Sequence, residues 1–276
     1  MTKTFVTIRT WGDFACFTRP EMKVERVSYP VMTPSAARGV LEAIFWEPQM
    51  CYLIDSIRIV QRGRWISLRR NEVTARISPA AVQKWIKSPD TFRPIQAGGG
   101  AEDGTQRNML ALETVEYIIT AEVRLTDQAQ SGRDSLPKYR AEIERRARSG
   151  KCYHRPALGM RELVADFEWE EDAQAALERR AGELNQNWHT IWPSEDLGLM
   201  LYDVFDVDER LKGFRWRQEA ELAPSPVRSK PSPKDLINRW SGVKTVPQAM
   251  WFQARIHNAR LDCHPEQVNL LKMPGR

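Results

Sequence analysis

The residues best suited to chemistry in this 276-residue chain are arginines and lysines gathered into blocks. The stretch from Arg133 to Arg161 holds nine basic and three acidic residues, whereas the next stretch, Glu162 to Glu183, holds two basic and eight acidic ones. A basic block in a nearly neutral body is what we expect of a protein that holds a polyanion at one place. The alternative is a solvated helix face that contacts only water.

Two further segments combine cations with aromatic rings. Residues 11–29 carry Arg19, Lys23 and Arg26 among aromatic side chains, a mixture that suits phosphates and stacked bases. Residues 62–70 place four arginines around Trp65. We expect residues 64–76 to return as the hairpin partner of residues 51–60, with Gly63 in the turn, so that a basic hairpin projects from a sheet.

The histidines and cysteines give weaker evidence for a catalytic or metal-binding site. His154 could act as an acid or a base, although a lone loop histidine more often only forms hydrogen bonds. The pairs Cys152 with His154 and Cys263 with His264 supply two ligands each, fewer than the three or four of a zinc site. No CxxC spacing occurs among the four cysteines. We therefore expect buried free thiols, no metal and no other cofactor.

Composition narrows the class of protein. Hydrophobic content of 42% and charged content of 28% are typical of a globular protein, and ten tryptophans are the unusual feature. There is no apolar run near the ~20 residues that span a bilayer, and no charged-then-apolar leader. The sequence therefore predicts a cytoplasmic protein without a membrane partner.

The first clear element is a helix that starts at Thr33 and Pro34. A threonine hydroxyl can accept an N–H of the first turn, and proline at the first helical position loses no hydrogen bond. Apolar residues then recur at helical spacing until Pro48 ends the pattern. Residues 5–9 before this helix and residues 51–60 after it alternate as strands.

The same order recurs later in the chain. Residues 110–125 predict a central strand, residues 137–149 a basic helix stopped by Gly150, and residues 163–169 another strand. Two rounds of strand, helix and strand indicate an α+β fold with a ferredoxin-like, RRM-type core that carries its helices on one face.

We divide the chain into four parts. Residues 1–170 are expected to form the RRM-like core, and residues 171–223 a helix plus a small β subdomain with late strands at 198–207 and 214–222. Residues 224–234 are a Pro-rich linker. Residues 235–276 are a basic C-terminal extension, which we expect to dock on RNA or on a neighbouring subunit.

Five ordered blocks carry a resemblance to a known family. They are WGDFACFTRPEMKVERVSYPVM from Trp11, TPSAARGVLEAIFWEP from Thr33, RRNEV from Arg69, TQRNMLAL from Thr105 and RRARSGKCYHRPALGMRE from Arg145. The chain resembles the subtype I-C member of the CRISPR-associated Cas-five family across roughly residues 3–223. The resemblance implies the same RRM-like core, a RAMP fold, with additional β structure after it.

The resemblance implies a function and a catalytic set. The resembled subunit cuts the CRISPR repeat transcript without a metal, by attack of a 2′-hydroxyl on the adjacent phosphate, and keeps the 5′ handle. Its catalytic positions fall on Phe45, Lys138 and Tyr139 of this chain. Lys138 would stabilise phosphate charge, Tyr139 stands where the family has histidine and can still donate a proton, and Phe45 can do no proton chemistry.

The expected partners are CRISPR RNA, the backbone (Cas-seven) and large (Cas-eight) subunits of a Cascade complex, and target DNA reached through that complex. The candidate RNA contacts are Arg19, Lys23, Arg26, Tyr29, Arg38, Arg69, Arg70, Arg107, Arg145, Arg146, Arg148 and His154.

Two other functions stay open. One is a structural clamp that holds the 5′ handle without cutting, since Phe45 and Tyr139 depart from the family pattern. The other is an unrelated basic RRM-like binder, which the sequence disfavours because residues 110–125 offer only Tyr117 as a base-stacking aromatic.

Overall fold

The computed structural model describes residues 3–74, 77–96, 98, 100–187, 194–212 and 249–272. This part of the chain has an α+β architecture. Its strands are β1 (Thr4–Ala15), β2 (Arg26–Val27), β3 (Met50–Gln61), β4 (Arg64–Val73), β5 (Gly104–Leu125), β6 (Asp166–Glu170), β7 (Glu195–Asp203), β8 (Met250–His257), β9 (Arg260–Asp262) and β10 (Leu270–Lys272). Its helices are α1 (Pro34–Ile44), α2 (Pro79–Lys87), α3 (Leu136–Arg148), α4 (Ala173–Glu183) and α5 (Val207–Leu211), with a 3-10 turn at Pro89–Thr91.

These strands belong to one mostly antiparallel sheet built around β5. The path runs β10-β8-β9-β3-β5-β1-β6, with β7 beside β8 and with β2 and β4 beside β5. The second half of β5 pairs with β1 on one side and with β3 on the other. The central strand predicted at residues 110–125 is therefore confirmed and begins six residues earlier.

The prediction that residues 64–76 fold back on β3 is wrong. β3 and β4 follow one another along the same side of β5, β3 opposite Glu116–Leu125 and β4 opposite Gly104–Glu113. Gly63 lies between them with φ 79°, and a Cβ there would come within 2.7 Å of Val115. Gly63 thus bends the strand rather than reversing it. The outcome is an antiparallel ribbon of β4 and the first half of β5, with the short β2 paired on the other side of β5.

The two predicted helices are confirmed. The Thr33 hydroxyl accepts the Ala36 N–H at the start of α1, with Pro34 at the first position. α3 begins at Leu136, one residue before the prediction, and ends at Arg148, shortly before Gly150 with φ 64°. The first strand is longer than expected, because β1 runs from Thr4 to Ala15 whereas the sequence predicted a strand at residues 5–9.

α1 and α3 lie on one face of the sheet. Leu41 and Ile44 of α1 and Ile143 of α3 share a buried core with Ile8 and Tyr117. Successive strand residues point to opposite faces, and Ile118 accordingly packs on the other face with Leu177 of α4. The helices of the predicted core therefore share one layer, and α4 covers the opposite side.

The C-terminal strands add to the same sheet. β9 pairs with β3, with Leu261 opposite Ile57, and β8 pairs with β7. Residues 250–272, part of the extension expected at 235–276, thus complete the sheet of their own chain. The linker at 224–234 and the late strand at 214–222 lie outside the described residues. The four domain limits stay predictions.

Within the described part of the chain, no helix is both long enough and apolar enough to cross a bilayer.

Candidate active site

Phe45 ends α1 and lies at the centre of the candidate site. Its N–H donates to the Leu41 carbonyl at 3.0 Å, and its carbonyl accepts the buried Tyr52 hydroxyl at 2.8 Å. Its backbone is extended, so the chain leaves the helix at this residue. The side chain is 7% exposed. Phe45 is therefore a fixed apolar wall rather than a mobile group.

The loop that carries His154 is fastened to the same helix end. The N–H groups of Tyr153 and His154 both donate to the Ala43 carbonyl at 2.9 Å. A carbonyl in the last turn of a helix has no partner within the helix, so these bonds satisfy it. The exposed His154 ring meets Tyr153 edge-on, with centroids 4.7 Å apart. The end of α1 thus sets where His154 lies relative to Phe45.

The start of α3 presents Lys138. The Ser135 hydroxyl caps the helix by accepting the Lys138 N–H. The Lys138 ammonium donates to the Arg133 carbonyl at 3.0 Å and lies 3.5 Å from Asp134 Oδ1. Its side chain is 51% exposed. Lys138 is thus a half-exposed cation held close to the chain and open to a ligand.

Tyr139 is buried beside Lys138, and its hydroxyl is engaged. The hydroxyl donates to Asp134 Oδ1 at 2.6 Å. Burial first, and then this bond to a carboxylate, raise the pKa of Tyr139 well above its ordinary value of 10. The pKa of Asp134 is lowered, first by the Gln130 N–H and then by the Tyr139 hydroxyl. The Tyr139 hydroxyl therefore donates its hydrogen bond within the protein, whereas the sequence suggested that it could donate a proton to RNA.

Two adjoining clefts open beside Phe45. The lysine cleft has a volume of about 530 Å³ and is lined by Phe45, Glu47, Gln49, Arg133, Asp134, Lys138, Tyr139, Ala141, Glu142, Arg145 and Arg146. The histidine cleft has a volume of about 630 Å³ and is lined by Glu42, Phe45, Trp46, Glu47, Pro48, Gln49, Arg146, Tyr153 and His154. Because Phe45 and Arg146 line both clefts, Lys138 and His154 lie on either side of this pair.

Arg146 and Arg145 add positive charge next to Phe45. The Arg146 guanidinium lies 5.3 Å from the centre of the Phe45 ring. Both arginines donate to Glu142, each with a bond of 2.7 Å. The bond from Arg145, more than that from Arg146, lowers the pKa of Glu142 to about 2. The lining of the lysine cleft holds four cations, Arg133, Lys138, Arg145 and Arg146, and three carboxylates, Glu47, Asp134 and Glu142, so its formal charge is +1.

This arrangement suits a phosphodiester. A phosphate that lies over Phe45 would have Lys138 and Arg146 to balance its charge, and cations aimed at a developing phosphorane lower its energy. His154 lines the histidine cleft, and an imidazole can accept or donate a proton. Phe45 and Tyr139 pack with ring centroids 6.2 Å apart and form the wall behind them.

Two predicted RNA contacts are engaged within the protein, Tyr29 as a buried residue and Arg38 as a partly buried one, which differs from the expectation from the sequence. Tyr29 is 2% exposed, and its hydroxyl accepts the Leu201 N–H at 3.2 Å. Arg38 donates to Asp203 at 2.8 and 3.1 Å and to Glu42 at 2.6 Å. Through these bonds Arg38 joins α1 to β7.

The predicted contacts near the ribbon form a separate surface. Arg26 lies 3.6 Å from Glu72, Arg70 lies 3.0 Å from Glu162, and Arg107 lies 3.7 Å from Glu25. Each of these arginines thus has a carboxylate partner. Three other predicted contacts are the exposed Arg69 opposite Asn108, the exposed Lys23, and Arg19, which stacks 4.9 Å from the Tyr29 ring. Their role as RNA contacts stays a prediction.

Arg148 lies apart from the clefts. It pairs with Glu144 and Glu171 and stacks 5.8 Å from the Trp169 ring on the β6 side of α3. The basic helix therefore has two arginine faces, and the face with Arg145 and Arg146 is the one at the candidate site. No group of three or more His, Cys, Asp or Glu that could hold a metal ion occurs among the residues the structure describes.

A model of the family described as CRISPR-associated protein (Cas_Cas5) matches residues 5–231. The chain belongs to this Cas5 family. Two curated relatives are each 39% identical over 202 residues and are named CRISPR pre-crRNA endoribonuclease Cas5d. For the relative from Mannheimia succiniciproducens the match covers 72% of this chain and 84% of the relative. For the relative from Thermus thermophilus the shares are 73% and 74%.

Solved structures resemble this Cas5 family member in fold. One, described as a CRISPR-associated protein, has a TM-score of 0.55 at 16% identity and covers 95% of this chain and 93% of its own. Another, a functionally uncharacterized protein from Streptococcus mutans, has a TM-score of 0.54 at 16% identity, with 98% and 99% covered. These likenesses support the α+β fold with a mostly antiparallel sheet.

Several residues of this Cas5 site were missed from the sequence. Asp134 and Glu142 organise Lys138 and the two arginines, yet in the sequence they are only acids within a basic block. The spacing of Glu142 and Arg146, four residues apart on a helix, was a usable signal for an ion pair. Nothing in the sequence indicated that Glu47 and Gln49 would line both clefts.

Proposed function

We propose that this chain is an endoribonuclease that cuts precursor CRISPR RNA and then retains the 5′ handle as a subunit of a type I-C Cascade complex. Two relatives named pre-crRNA endoribonuclease support the reaction. One observation carries the proposal for this chain: Lys138, Arg146 and Phe45 line the same cleft. Two cations beside an apolar ring suit a phosphodiester and its nucleoside. Antiviral defence and a cytoplasmic location are part of this proposal.

In the proposed reaction the 2′-hydroxyl of one nucleotide attacks the adjacent phosphate in line with the leaving 5′-oxygen. The 2′ O–H bond breaks, a new O–P bond forms, and the P–O5′ bond breaks to leave a 2′,3′-cyclic phosphate and a 5′-hydroxyl. Lys138 and Arg146 stabilise the extra charge of the crowded phosphorane. His154 takes the proton from the attacking hydroxyl, and a water molecule from solvent gives a proton to the leaving 5′-oxygen. None of these steps uses a metal.

Phe45 and Tyr139 have supporting roles in this proposal. Phe45, at the centre of both clefts, gives a ribose or base an apolar surface to lie against. Tyr139 holds Asp134 through its hydroxyl, and Asp134 lies 3.5 Å from the Lys138 ammonium. Tyr139 therefore positions the lysine through the carboxylate rather than giving its own proton to RNA.

We further propose that the core is ferredoxin-like and of the RAMP type. In support, the strands of the two strand–helix–strand rounds lie in the order β3-β5-β1-β6 with antiparallel neighbours. α1 and α3 cover one face of them. This is the order of a βαββαβ unit with both helices on one side. We also retain as proposed partners CRISPR RNA, the Cas-seven and Cas-eight subunits, and target DNA bound by the complex.

A second candidate function is a clamp that binds the handle without cutting. Two observations favour it: Phe45 has no proton to exchange, and the Tyr139 hydroxyl is bonded to Asp134. Both candidates predict binding of repeat RNA, since both use the same cationic cleft. They differ in whether the bound RNA is cut.

The deciding experiment incubates the purified full chain with 5′-labelled repeat RNA in EDTA. We expect one cut whose 5′ fragment ends in a cyclic phosphate, and loss of the cut in Lys138→Ala. Lys87→Ala, on α2 and away from both clefts, is the matched control that should cut like the wild type. Binding without any cut would select the clamp, and a cut that Lys138→Ala leaves unchanged would remove Lys138 from the mechanism.

A further inference from the structure

A third cleft lies along α1, on the far side of His154. We call it the α1 cleft; its volume is about 650 Å³. Ser35, Gly39 and Ala43 of α1 form one wall, and Thr18, His154 and Arg161 are among the residues that face them. His154 lines both this cleft and the histidine cleft, so the two clefts adjoin at this residue, and we call them together the depression.

Gly39 is unusual within this cleft. It lies in the middle of α1, where glycine is less favourable than alanine because it loses more backbone freedom on folding. A Cβ built on Gly39 would meet no atom within 4 Å, so nothing described in this chain excludes a side chain there. Packing within the protein therefore does not account for the glycine, and its bare backbone faces the cleft.

The opposite wall is cationic. The exposed Arg161 has no ion-pair partner among the residues the structure describes. Arg155 also lines the cleft and is paired with Asp166 at 2.6 Å, with both side chains more than half exposed. Thr18 on this wall and Ser35 on the α1 wall add hydroxyls able to bond to a ribose. An anionic, hydroxyl-rich chain fits such a wall.

The depression is long enough to hold a segment of a chain-like ligand rather than a single chemical group. From Ser35 to Phe45, α1 rises about 15 Å at the usual 1.5 Å per residue. The α1 cleft lies at one end of this path, and Phe45 with the two clefts of the candidate active site lies at the other. A strand bound at Phe45 would reach the α1 cleft by continuing past His154.

We propose that the α1 cleft is an RNA subsite that holds nucleotides next to the cut phosphate, with a sugar or base packed directly on the backbone of α1 at Gly39. The inference rests on the proposed function, since it takes the repeat RNA as the ligand. Glycine permits this close approach because it has no Cβ. Arg161 neutralises a phosphate of the same segment.

The test compares two helical glycines. Gly39→Ala fills the proposed subsite, whereas Gly182→Ala makes the same change in α4, where a Cβ also meets nothing within 4 Å and which lies outside the three clefts. We expect both variants to melt at or above the wild-type temperature, because alanine favours a helix. We expect Gly39→Ala to weaken binding of labelled repeat RNA at least tenfold, Gly39→Leu to weaken it further, and Gly182→Ala to bind like the wild type.

A second variant tests the opposite wall. Arg161→Gln should reduce the slope of log affinity against log salt by about 0.7, the value for one phosphate of a single strand. Wild-type cutting with unchanged binding in both Gly39→Ala and Arg161→Gln would overturn the subsite and leave the proposed function standing. A wild type that neither binds nor cuts repeat RNA would overturn both.

Discussion

Replacing Lys138 by alanine tests the proposed chemistry most directly. The variant removes an ammonium that lines the lysine cleft with Phe45 and Arg146. Loss of a preorganised donor that stabilises a developing anion typically costs 10²–10³ in rate. We therefore expect cleavage to slow by about a hundredfold, which corresponds to about 2.7 kcal/mol at 1.36 kcal/mol per factor of ten.

The same substitution should barely affect folding. The Lys138 ammonium bonds to the Arg133 carbonyl at 3.0 Å and pairs with Asp134 at 3.5 Å, but its side chain is 51% exposed. Exposed pairs of this kind contribute about 0–1 kcal/mol because solvent screens them. A loss of cleavage with an almost unchanged free energy of unfolding would thus assign Lys138 to the reaction rather than to the fold.

The assay is single-turnover cleavage of repeat RNA in EDTA at saturating protein, alongside urea unfolding. Lys138→Arg keeps the charge and should retain more activity than Lys138→Ala, although the broader guanidinium is not an equivalent group. Saturating protein separates the chemical step from weaker binding. The reasoning fails if Lys138→Ala cuts at the wild-type rate, or if its slower cutting disappears once protein is in excess.

Three further predictions use the same structure. Tyr139→Phe should lower the free energy of unfolding by about 1–3 kcal/mol, because Asp134 loses a buried hydrogen-bond partner. The cleavage rate should stay within a few fold of the wild type. Loss of cleavage in a variant that still folds would show that the Tyr139 hydroxyl takes part in the reaction. The Glu142 carboxylate, whose pKa is about 2 against an ordinary 4.5, should contribute stability that is present above pH 4.5 and lost as the pH falls toward 2. Glu142→Gln should remove that part of the acid dependence in thermal melts, and an unaltered profile would contradict it. Arg38→Met should destabilise the protein by about 3–5 kcal/mol, since it leaves the buried Asp203 carboxylate without its main partner; unfolding in urea measures this, and a fully stable variant would refute it.

The helices of the site could be predicted because their signals are local. Thr33 with Pro34 marks the start of α1, and Pro137 and Gly150 mark the limits of α3, which begins one residue before Pro137. Their apolar spacing also identified the buried faces. Local rules of this kind need no knowledge of the remaining chain.

The predictions that failed concern contacts between residues that are far apart in the sequence. The partner of β4 could not be deduced from residues 51–76, because a glycine between two strands permits either a reversal or a bend, and the choice depends on β5, some 40 residues away. Likewise, the sequence placed Arg38 among the expected RNA contacts. Its buried partner Asp203 is 165 residues later in the chain.

The contacts of α1 at its C-terminal end and along its length explain how one short helix can position all three clefts. At its C-terminal end, Phe45 forms the wall of two clefts, and the Ala43 carbonyl holds the backbone of His154. Along its length, Gly39 leaves the helix surface bare toward the α1 cleft. A shift of α1 would therefore move the apolar wall, the histidine and the third cleft together. Because Arg38 ties the helix to Asp203 of β7 through a buried ion pair, the C-terminal strands help to hold this helix in place.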